Sequence, residues 1–215
     1  MTQLKEIIQK EKVIAILRGV EEDKLLPTVE AILRGGVHCI EVTMVPENEE
    51  LTNKSLDFIK ILKKEFSEEA YIGAGTVVTP ELVRRAVKAG AEYIISPNTD
   101  IKVIEETKKM DKISIPGAAT PSEMLKARHA GADFVKFFPA AALGSVYLKS
   151  VKGPLGSLPI LAVGGISTDN AKEFMNSGAE GIGVGGGLVD KIAMSKGNYN
   201  EITRKASQLK EITAS

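Results

Sequence analysis

The stretch GADFVKFF, at residues 131–138, places Lys136 in the middle of an otherwise apolar run. The stretch GVHCIEVT, at residues 36–43, repeats the pattern with a carboxylate, Glu41, in the same place. Each begins with a glycine that can take the left-handed conformation ending a helix, and each continues as a short apolar run typical of a buried strand. The two stretches therefore predict the same local unit, a helix end followed by a strand of a sheet that is covered on both faces.

This unit recurs along the chain at Gly36, Gly90, Gly131 and Gly178, with spacings of 54, 41 and 47 residues. Strands are predicted after these glycines, at residues 38–43, 92–96, 133–137 and 180–184. A second set of apolar runs lies between them, at residues 13–17, 71–74, 113–115 and 160–163. The two sets interleave and predict eight strands that alternate with helices.

Eight strand–helix units favour a (β/α)8 TIM barrel, and 215 residues is near the short end of the range for that architecture. An additional N-terminal helix is predicted over residues 2–10, and a closing helix over residues 199–209, where Ile202, Ala206 and Leu209 share one face. Linker-like segments are scarce, so residues 1–215 are interpreted as a single domain. An open doubly wound sheet fits the same pattern, because composition does not reveal whether a sheet closes.

The composition of the chain indicates which kinds of molecule it can bind. Lys and Arg together number 28, as do Asp and Glu, so the formal net charge is zero and there is no basic excess to bind nucleic acid or an anionic membrane. We therefore expect a small-molecule substrate. Cys39 is the single cysteine, which excludes an intrachain disulfide. A charged start and the lack of a long apolar run lead us to expect a cytoplasmic protein.

Glu41 and Lys136 are the residues that break the apolar strand pattern. Each follows its glycine by five positions, on the second and the sixth predicted strands, which lie opposite each other in a ring of eight. We therefore expect them to face one another across the barrel interior. The alternatives are a structural ion pair, or a lysine at a strand end whose ammonium reaches solvent.

A lysine among apolar neighbours has a lowered pKa, because burial penalises the ammonium form, and its neutral amine can attack a ketone or aldehyde to form an imine. A nearby carboxylate suits proton transfer beside that imine. The pair indicates imine-based carbon–carbon chemistry.

Candidate anion-binding residues follow other strands. Arg18 comes after the first strand and could bind a carboxylate with two hydrogen bonds, and Thr76 follows the third strand among glycines. Gly164 and Gly165 follow the seventh strand, and residues 185–187 are three glycines after the eighth. Barrels of this kind often bind phosphate at those two loops. Tight turns and an ordinary surface arginine would account for the same residues.

Taken together, these segments resemble the family of 2-keto-3-deoxy-6-phosphogluconate (KDPG) and 2-keto-4-hydroxyglutarate (KHG) aldolases, class I enzymes that work through a lysine Schiff base. The likeness runs through nearly the whole chain. It is carried by IAILR at residues 14–18, IEVT at 40–43, IGAGTV at 72–77, SP at 96–97, PGAATPSE at 116–123, VKFFPA at 135–140 and GGI at 164–166.

The resemblance implies a role for each matching residue. It implies that Lys136 is the imine-forming nucleophile and Glu41 the general acid and base. It also implies Thr76 and an arginine at the pyruvate carboxylate. The pocket lining and the phosphate site are implied to contain Pro97, Phe138, Gly164, Gly165, Gly185 and Gly186.

This sequence departs from the family pattern at two positions. Many members carry the carboxylate-binding arginine four residues after the glutamate, where Val45 stands here, so we infer that Arg18 takes that role. The family's serine in the last phosphate loop is replaced by Gly186, which removes one hydroxyl donor.

The implied activity is cleavage of KDPG to pyruvate and glyceraldehyde 3-phosphate, and of KHG to pyruvate and glyoxylate. No metal or other cofactor is expected, because the iminium withdraws electrons as a Lewis acid would. The resemblance also implies a homotrimer. Open alternatives are an aldolase specific for the phosphogalactonate epimer, a phosphate-binding isomerase or synthase that uses the pair without a covalent step, and a barrel that only binds ligand.

Overall fold

The computed structural model describes residues 2–214, so Met1 and Ser215, the ends of the predicted domain, lie outside it. Its described part contains nine parallel strands. They are β1 (Val13–Leu17), β2 (Cys39–Thr43), β3 (Tyr71–Gly75), β4 (Tyr93–Ile95), β5 (Ile113–Ile115), β6 (Gly117–Ala118), β7 (Val135–Phe137), β8 (Ile160–Val163) and β9 (Gly181–Val184).

Helices lie between the strands and at both ends of the chain. They are α1 (Thr2–Glu11), α2 (Glu22–Arg34), α3 (Glu49–Glu65), α4 (Pro80–Ala89), α5 (Ile101–Lys109), α6 (Pro121–His129), α7 (Ala140–Leu143), α8 (Ser145–Lys152), α9 (Ala171–Asn176), α10 (Lys191–Ser195) and α11 (Tyr199–Ala214). Helices α1 and α11 confirm the predictions of a helix at each end of the chain. Ile202, Ala206 and Leu209 are buried on one face of α11, as expected.

The strand order is β5-β4-β3-β2-β1-β9-β8-β7-β6. The two end strands, β5 and β6, are consecutive in the chain and are separated by Pro116 alone. The strands therefore run round a nearly closed barrel, which excludes the open doubly wound sheet. Eight strands were predicted and nine are seen, because the fifth is interrupted at Pro116, whose ring nitrogen has no N–H to donate to a ladder.

The glycines that mark the repeating unit adopt the predicted backbone conformation. Gly36, Gly90, Gly131 and Gly178 have φ values of 81°, 112°, 99° and 95°, in the left-handed region where a side chain is disfavoured. Each one stands between a helix and the strand that follows, so the chain can reverse direction there within a few residues.

The sheet separates two apolar clusters, because side chains alternate between its faces. On β2, Ile40 and Val42 pack in the outer cluster, between strands and helices, whereas Cys39 packs in the inner cluster, inside the barrel. Ile8 of α1 belongs to the inner cluster and covers the end of the barrel at which the strands begin. The opposite end, where the strands finish, is left for the functional site.

Candidate active site

A cavity of about 340 Å³ opens at the carboxyl ends of the strands. Eight of the ten predicted site residues line it: Arg18, Glu41, Lys136, Phe138, Gly164, Gly165, Gly185 and Gly186. Glu41 and Lys136 thus share one cavity, although they come from strands on opposite sides of the ring. The alternation of side chains along β2 and β7 explains this, since their flanking residues Ile40, Val42, Val135 and Phe137 all face outward.

Lys136 lies on β7 and is 5% exposed. Its Nζ atom lies 4.7 Å from the centre of the Phe138 ring, so the aromatic face forms one wall beside the amine. Burial lowers the pKa of Lys136; the Glu41 carboxylate opposes this shift, and the Arg18 guanidinium adds to it. The site therefore favours a neutral, nucleophilic amine more than solvent does.

Glu41 lies on β2 and is 1% exposed. Its side chain extends across Gly75 of β3, where a methyl group would overlap the carboxylate. The Thr43 hydroxyl donates a hydrogen bond of 3.3 Å to Oε1, and Oε2 has no hydrogen-bond partner within residues 2–214. Burial raises the pKa of Glu41, and the charge of Lys136 opposes the shift. A carboxyl group with a raised pKa accepts a proton more readily than an exposed one, which suits it to accept and return a proton during a reaction.

Arg18 follows β1 and is exposed at the mouth of the cavity. Among the described residues, no hydrogen bond or ion pair fixes its guanidinium, which leaves its five N–H donors available to an anionic ligand. Val45, at the position where many family members carry arginine, lines a separate groove beside α3 and not this cavity.

Two predicted residues are not part of the cavity lining. Thr76 follows β3 and is half-buried, with a left-handed backbone at φ 57°. Pro97 follows β4, and its carbonyl group packs against Gly117 so closely that a Cβ there would overlap it. Both residues come after strands of the same barrel end, and their roles in binding stay predictions.

The glycine loops after β8 and β9 form the other side of the cavity. Gly164 and Gly165 have φ values of 99° and 74°. A Cβ at Gly164 would lie 3.0 Å from the Phe138 ring, so a side chain there would require the ring or the loop to shift. Gly186 differs, because the position of its absent Cβ has no atom within 4 Å and opens onto free space.

Sequence reasoning gave no binding role to four lining residues, Ile16, Val163, Ile166 and Gly183, and it included the fifth, Gly187, only as part of the glycine run at 185–187. The period-two alternation that placed Glu41 also places Ile16 and Val163 on the inner face of their strands, so this signal was available. Gly183 leaves space between Val163 and Ile16, since a Cβ there would lie 2.9 Å from Val163.

Neither a metal cluster nor a membrane span is found in the described chain. No group of three His, Cys, Asp or Glu residues within residues 2–214 is arranged to hold a metal ion. No helix in the same range has the length and apolar character needed to cross a bilayer.

A barrel whose strand ends surround a buried lysine and carboxylate has groups that can act on small carbonyl compounds. The family model "KDPG and KHG aldolase" matches residues 4–205. The chain belongs to this family, and it is an aldolase, a carbon–carbon lyase.

Individual relatives fall in the same family. The chain is 33% identical over 202 residues to a 2-dehydro-3-deoxy-6-phosphogalactonate aldolase of Escherichia coli, covering 91% of this chain and 96% of that protein. It is 30% identical over 211 residues to the KHG/KDPG aldolase of the same organism, covering 98% and 96%.

A solved structure is similar in fold as well as in sequence. The KDPG aldolase of Legionella pneumophila, whose crystal structure has pyruvate captured as a covalent carbinolamine intermediate, superposes with a TM-score of 0.85 at 30% identity. The match covers 95% of this chain and 97% of that one.

Proposed function

We propose that this protein is a class I aldolase that cleaves KDPG to pyruvate and glyceraldehyde 3-phosphate through a Schiff base on Lys136. The observation that carries the proposal is the presence of Lys136 and Glu41 in one cavity, both buried, with pKa values displaced toward the uncharged forms. The relative from Legionella pneumophila supports it, because pyruvate is covalently captured in that protein.

The reaction begins with attack of the neutral Lys136 amine on the C2 ketone. Loss of water gives an iminium, which draws electrons from the C3–C4 bond. Glu41 removes the proton of the C4 hydroxyl, the C3–C4 bond breaks, and C4 leaves as the aldehyde carbon of glyceraldehyde 3-phosphate. An enamine remains on Lys136. Its protonation at C3 and hydrolysis of the resulting iminium release pyruvate and regenerate the amine.

The charged groups at the mouth orient the substrate. Arg18 would bind the pyruvate carboxylate, with Thr76 as a second donor, so that C2 lies over the Lys136 amine. The backbone amides of the loops at Gly164, Gly165, Gly185 and Gly186 would hold the phosphate at the other end of the substrate.

Borohydride trapping tests the covalent step. The protein is incubated with pyruvate and borohydride, and the adduct is located by mass spectrometry. We expect one reduced pyruvate adduct, on Lys136. A protein that cleaves substrate without any trapped adduct would instead use the pair as a non-covalent acid and base, as in the isomerase or synthase alternative. A protein that binds ligand but forms no pyruvate would be a binding barrel.

Cleavage of the phosphogalactonate epimer is the second candidate, and the 33% identical Escherichia coli aldolase for that substrate favours it. The epimers differ only at C4, the carbon that carries the hydroxyl facing Glu41. A lactate-dehydrogenase-coupled assay that compares KDPG, its galactonate epimer and KHG at equal concentrations measures pyruvate release from each. The largest kcat/KM identifies the physiological class of substrate.

The proposal also covers the cellular location, the oligomeric state and the cofactor requirement of the protein. We expect a single-domain enzyme of the cytoplasm that assembles as a homotrimer, as the family resemblance implies, and that requires no added cofactor. Light scattering of the purified protein and activity after dialysis against a chelator test the last two expectations.

A further inference from the structure

A second cavity, of about 420 Å³, adjoins the catalytic one at the mouth of the barrel. The two share Ile16, Arg18 and Gly186 as lining residues, so a ligand lying against Gly186 borders both. We call this second cavity the outer cavity. Its remaining lining comes from the segment at the start of α10, in which Asp190 and Lys191 are the ionisable side chains.

The outer cavity carries a net positive charge, because its one carboxylate is paired with a lysine outside the cavity and its two cationic side chains form no ion pair within the described chain. The Asp190 carboxylate accepts hydrogen bonds from the amides of Ile192 and Ala193 at 2.8 and 3.1 Å and is paired with Lys205 at 3.1 Å. Its negative charge is therefore already balanced. Arg18 and Lys191 form no ion pair with any residue of the described chain within 4 Å.

Other charged side chains line a third, smaller cavity that Lys191 also borders. They are Glu21 and Lys24, and Lys24 is paired with Asp23 at 3.0 Å. Glu21 is thus the acidic side chain that shares a cavity with Lys191 on the side of Gly19. An anion in the outer cavity would compete with it for the same side chain.

The position of the Lys191 ammonium brings it to the end of β1. Its Nζ atom lies 3.8 Å from the point where a Cβ of Gly19 would be, directly after Arg18. Arg18 and Lys191 both line the cavity that adjoins the catalytic one, together with Gly186, where the loop has free space. A phosphate held only by neutral amides lacks a charge partner, and a lysine ammonium supplies one as a point charge.

We propose that Lys191 binds the terminal phosphate of the substrate where the two cavities meet, in place of the hydroxyl donor that is absent at Gly186. The inference rests on the proposed function and deepens it. It adds a charged side chain to the phosphate end of the substrate, whereas Arg18 is assigned to the pyruvate end.

The test measures the preference for a phosphorylated acceptor in the direction of synthesis. With pyruvate saturating, kcat/KM is determined for glyceraldehyde 3-phosphate and for unphosphorylated glyceraldehyde, and their ratio is the phosphate preference. We expect Lys191→Met to lower this ratio about tenfold, as the loss of one charge-assisted hydrogen bond of about 1.5 kcal/mol implies. Lys191→Arg should keep most of it, because the charge is retained.

Lys196→Met is the matched control. Lys196 is an exposed lysine directly after α10 and lines none of the cavities at the barrel mouth, so its variant should keep the wild-type ratio. An unchanged ratio in Lys191→Met, or an equal fall in both lysine variants, would overturn the role of Lys191.

Pyruvate trapping on the same samples separates failure of this inference from failure of the proposed function. A wild-type protein that forms no adduct on Lys136 overturns both. Normal labelling of Lys136 together with an unchanged ratio in Lys191→Met overturns the phosphate contact alone.

Discussion

The outer and inner faces of the barrel sheet are built from the same strands but differ in chemistry. On β2 and β7 the outward residues, Ile40, Val42, Val135 and Phe137, are buried in one continuous apolar cluster. The inward residues of the same strands include Glu41 and Lys136. Among the buried side chains that the structure describes, these two are the only Asp, Glu, Lys or Arg residues.

This difference separates stability from catalysis. Apolar burial on the outer face stabilises the fold in proportion to the area removed from water. A buried charge has the opposite effect, because desolvation penalises the charged form, and the pKa values of Glu41 and Lys136 are displaced accordingly. The comparison predicts that changes on the inner face alter chemistry, whereas changes on the outer face alter stability.

The largest effect is expected for Lys136→Met. Removing the proposed nucleophile should reduce kcat by about 10⁴-fold or more, because no imine can form without it. The fold should persist, since methionine occupies a similar volume on the apolar strand. Steady-state pyruvate release and circular dichroism measure the two effects. A variant that retains a large share of wild-type turnover would contradict the assignment of the nucleophile.

Glu41→Gln and Arg18→Ala are expected to shift the pH dependence of pyruvate trapping in opposite directions. The Glu41 carboxylate raises the pKa of Lys136 and the Arg18 guanidinium lowers it. Glu41→Gln should therefore lower that pKa and move the midpoint of pyruvate trapping to lower pH, and Arg18→Ala should move it to higher pH. Trapping is followed by mass spectrometry across a pH series at saturating pyruvate.

The Glu41→Gln and Arg18→Ala variants should also differ in which kinetic constant they change. Glu41→Gln should still be labelled by pyruvate but lose about 10²–10⁴-fold in kcat, the usual contribution of a general acid or base. Arg18→Ala should raise the KM for pyruvate in synthesis. Midpoints that move in the same direction in both variants would show that these charges do not govern the amine.

Gly75→Ala should alter the site through Glu41. The added methyl group would overlap the Glu41 carboxylate, which must move, and a displacement of about 1 Å costs about 10²-fold in turnover. Gly156→Ala is the control, because its Cβ would meet only the Lys152 carbonyl at an ordinary 3.4 Å. Equal turnover in the two variants would contradict the placement of the carboxylate over β3.

The smallest effect on activity is expected on the outer face, for Ile40→Val. Ile40 is fully buried there, so loss of one methylene should reduce the free energy of unfolding by about 0.5–1.5 kcal/mol. Turnover per folded molecule should match the wild type. Denaturant titration and an activity assay at 25 °C check both, and a fall in kcat comparable to that of Gly75→Ala would break the distinction between the faces.

Much of this arrangement followed from local sequence. The five-residue offset of Glu41 and Lys136 from their glycines predicted that both side chains face inward, because alternation along a strand is a short-range property. The order of the predicted strands located the glycine loops at Gly164 and Gly186, because they follow the seventh and the eighth strand. Thr76 and Pro97 show its limit, since a residue just beyond a strand no longer obeys the alternation, and neither one lines the cavity.

The sequence by itself determined where eight of the nine strands lie, which face their side chains take and which buried strand residues are ionisable, because these depend on periodicity over a few positions. Tertiary structure alone decided that the sheet closes at Pro116, that Glu41 lies over Gly75, and that Lys191 stands beside Gly19 at the barrel mouth. These juxtapositions join residues far apart in the chain. They depend on how every intervening strand and helix packs, which no local pattern encodes.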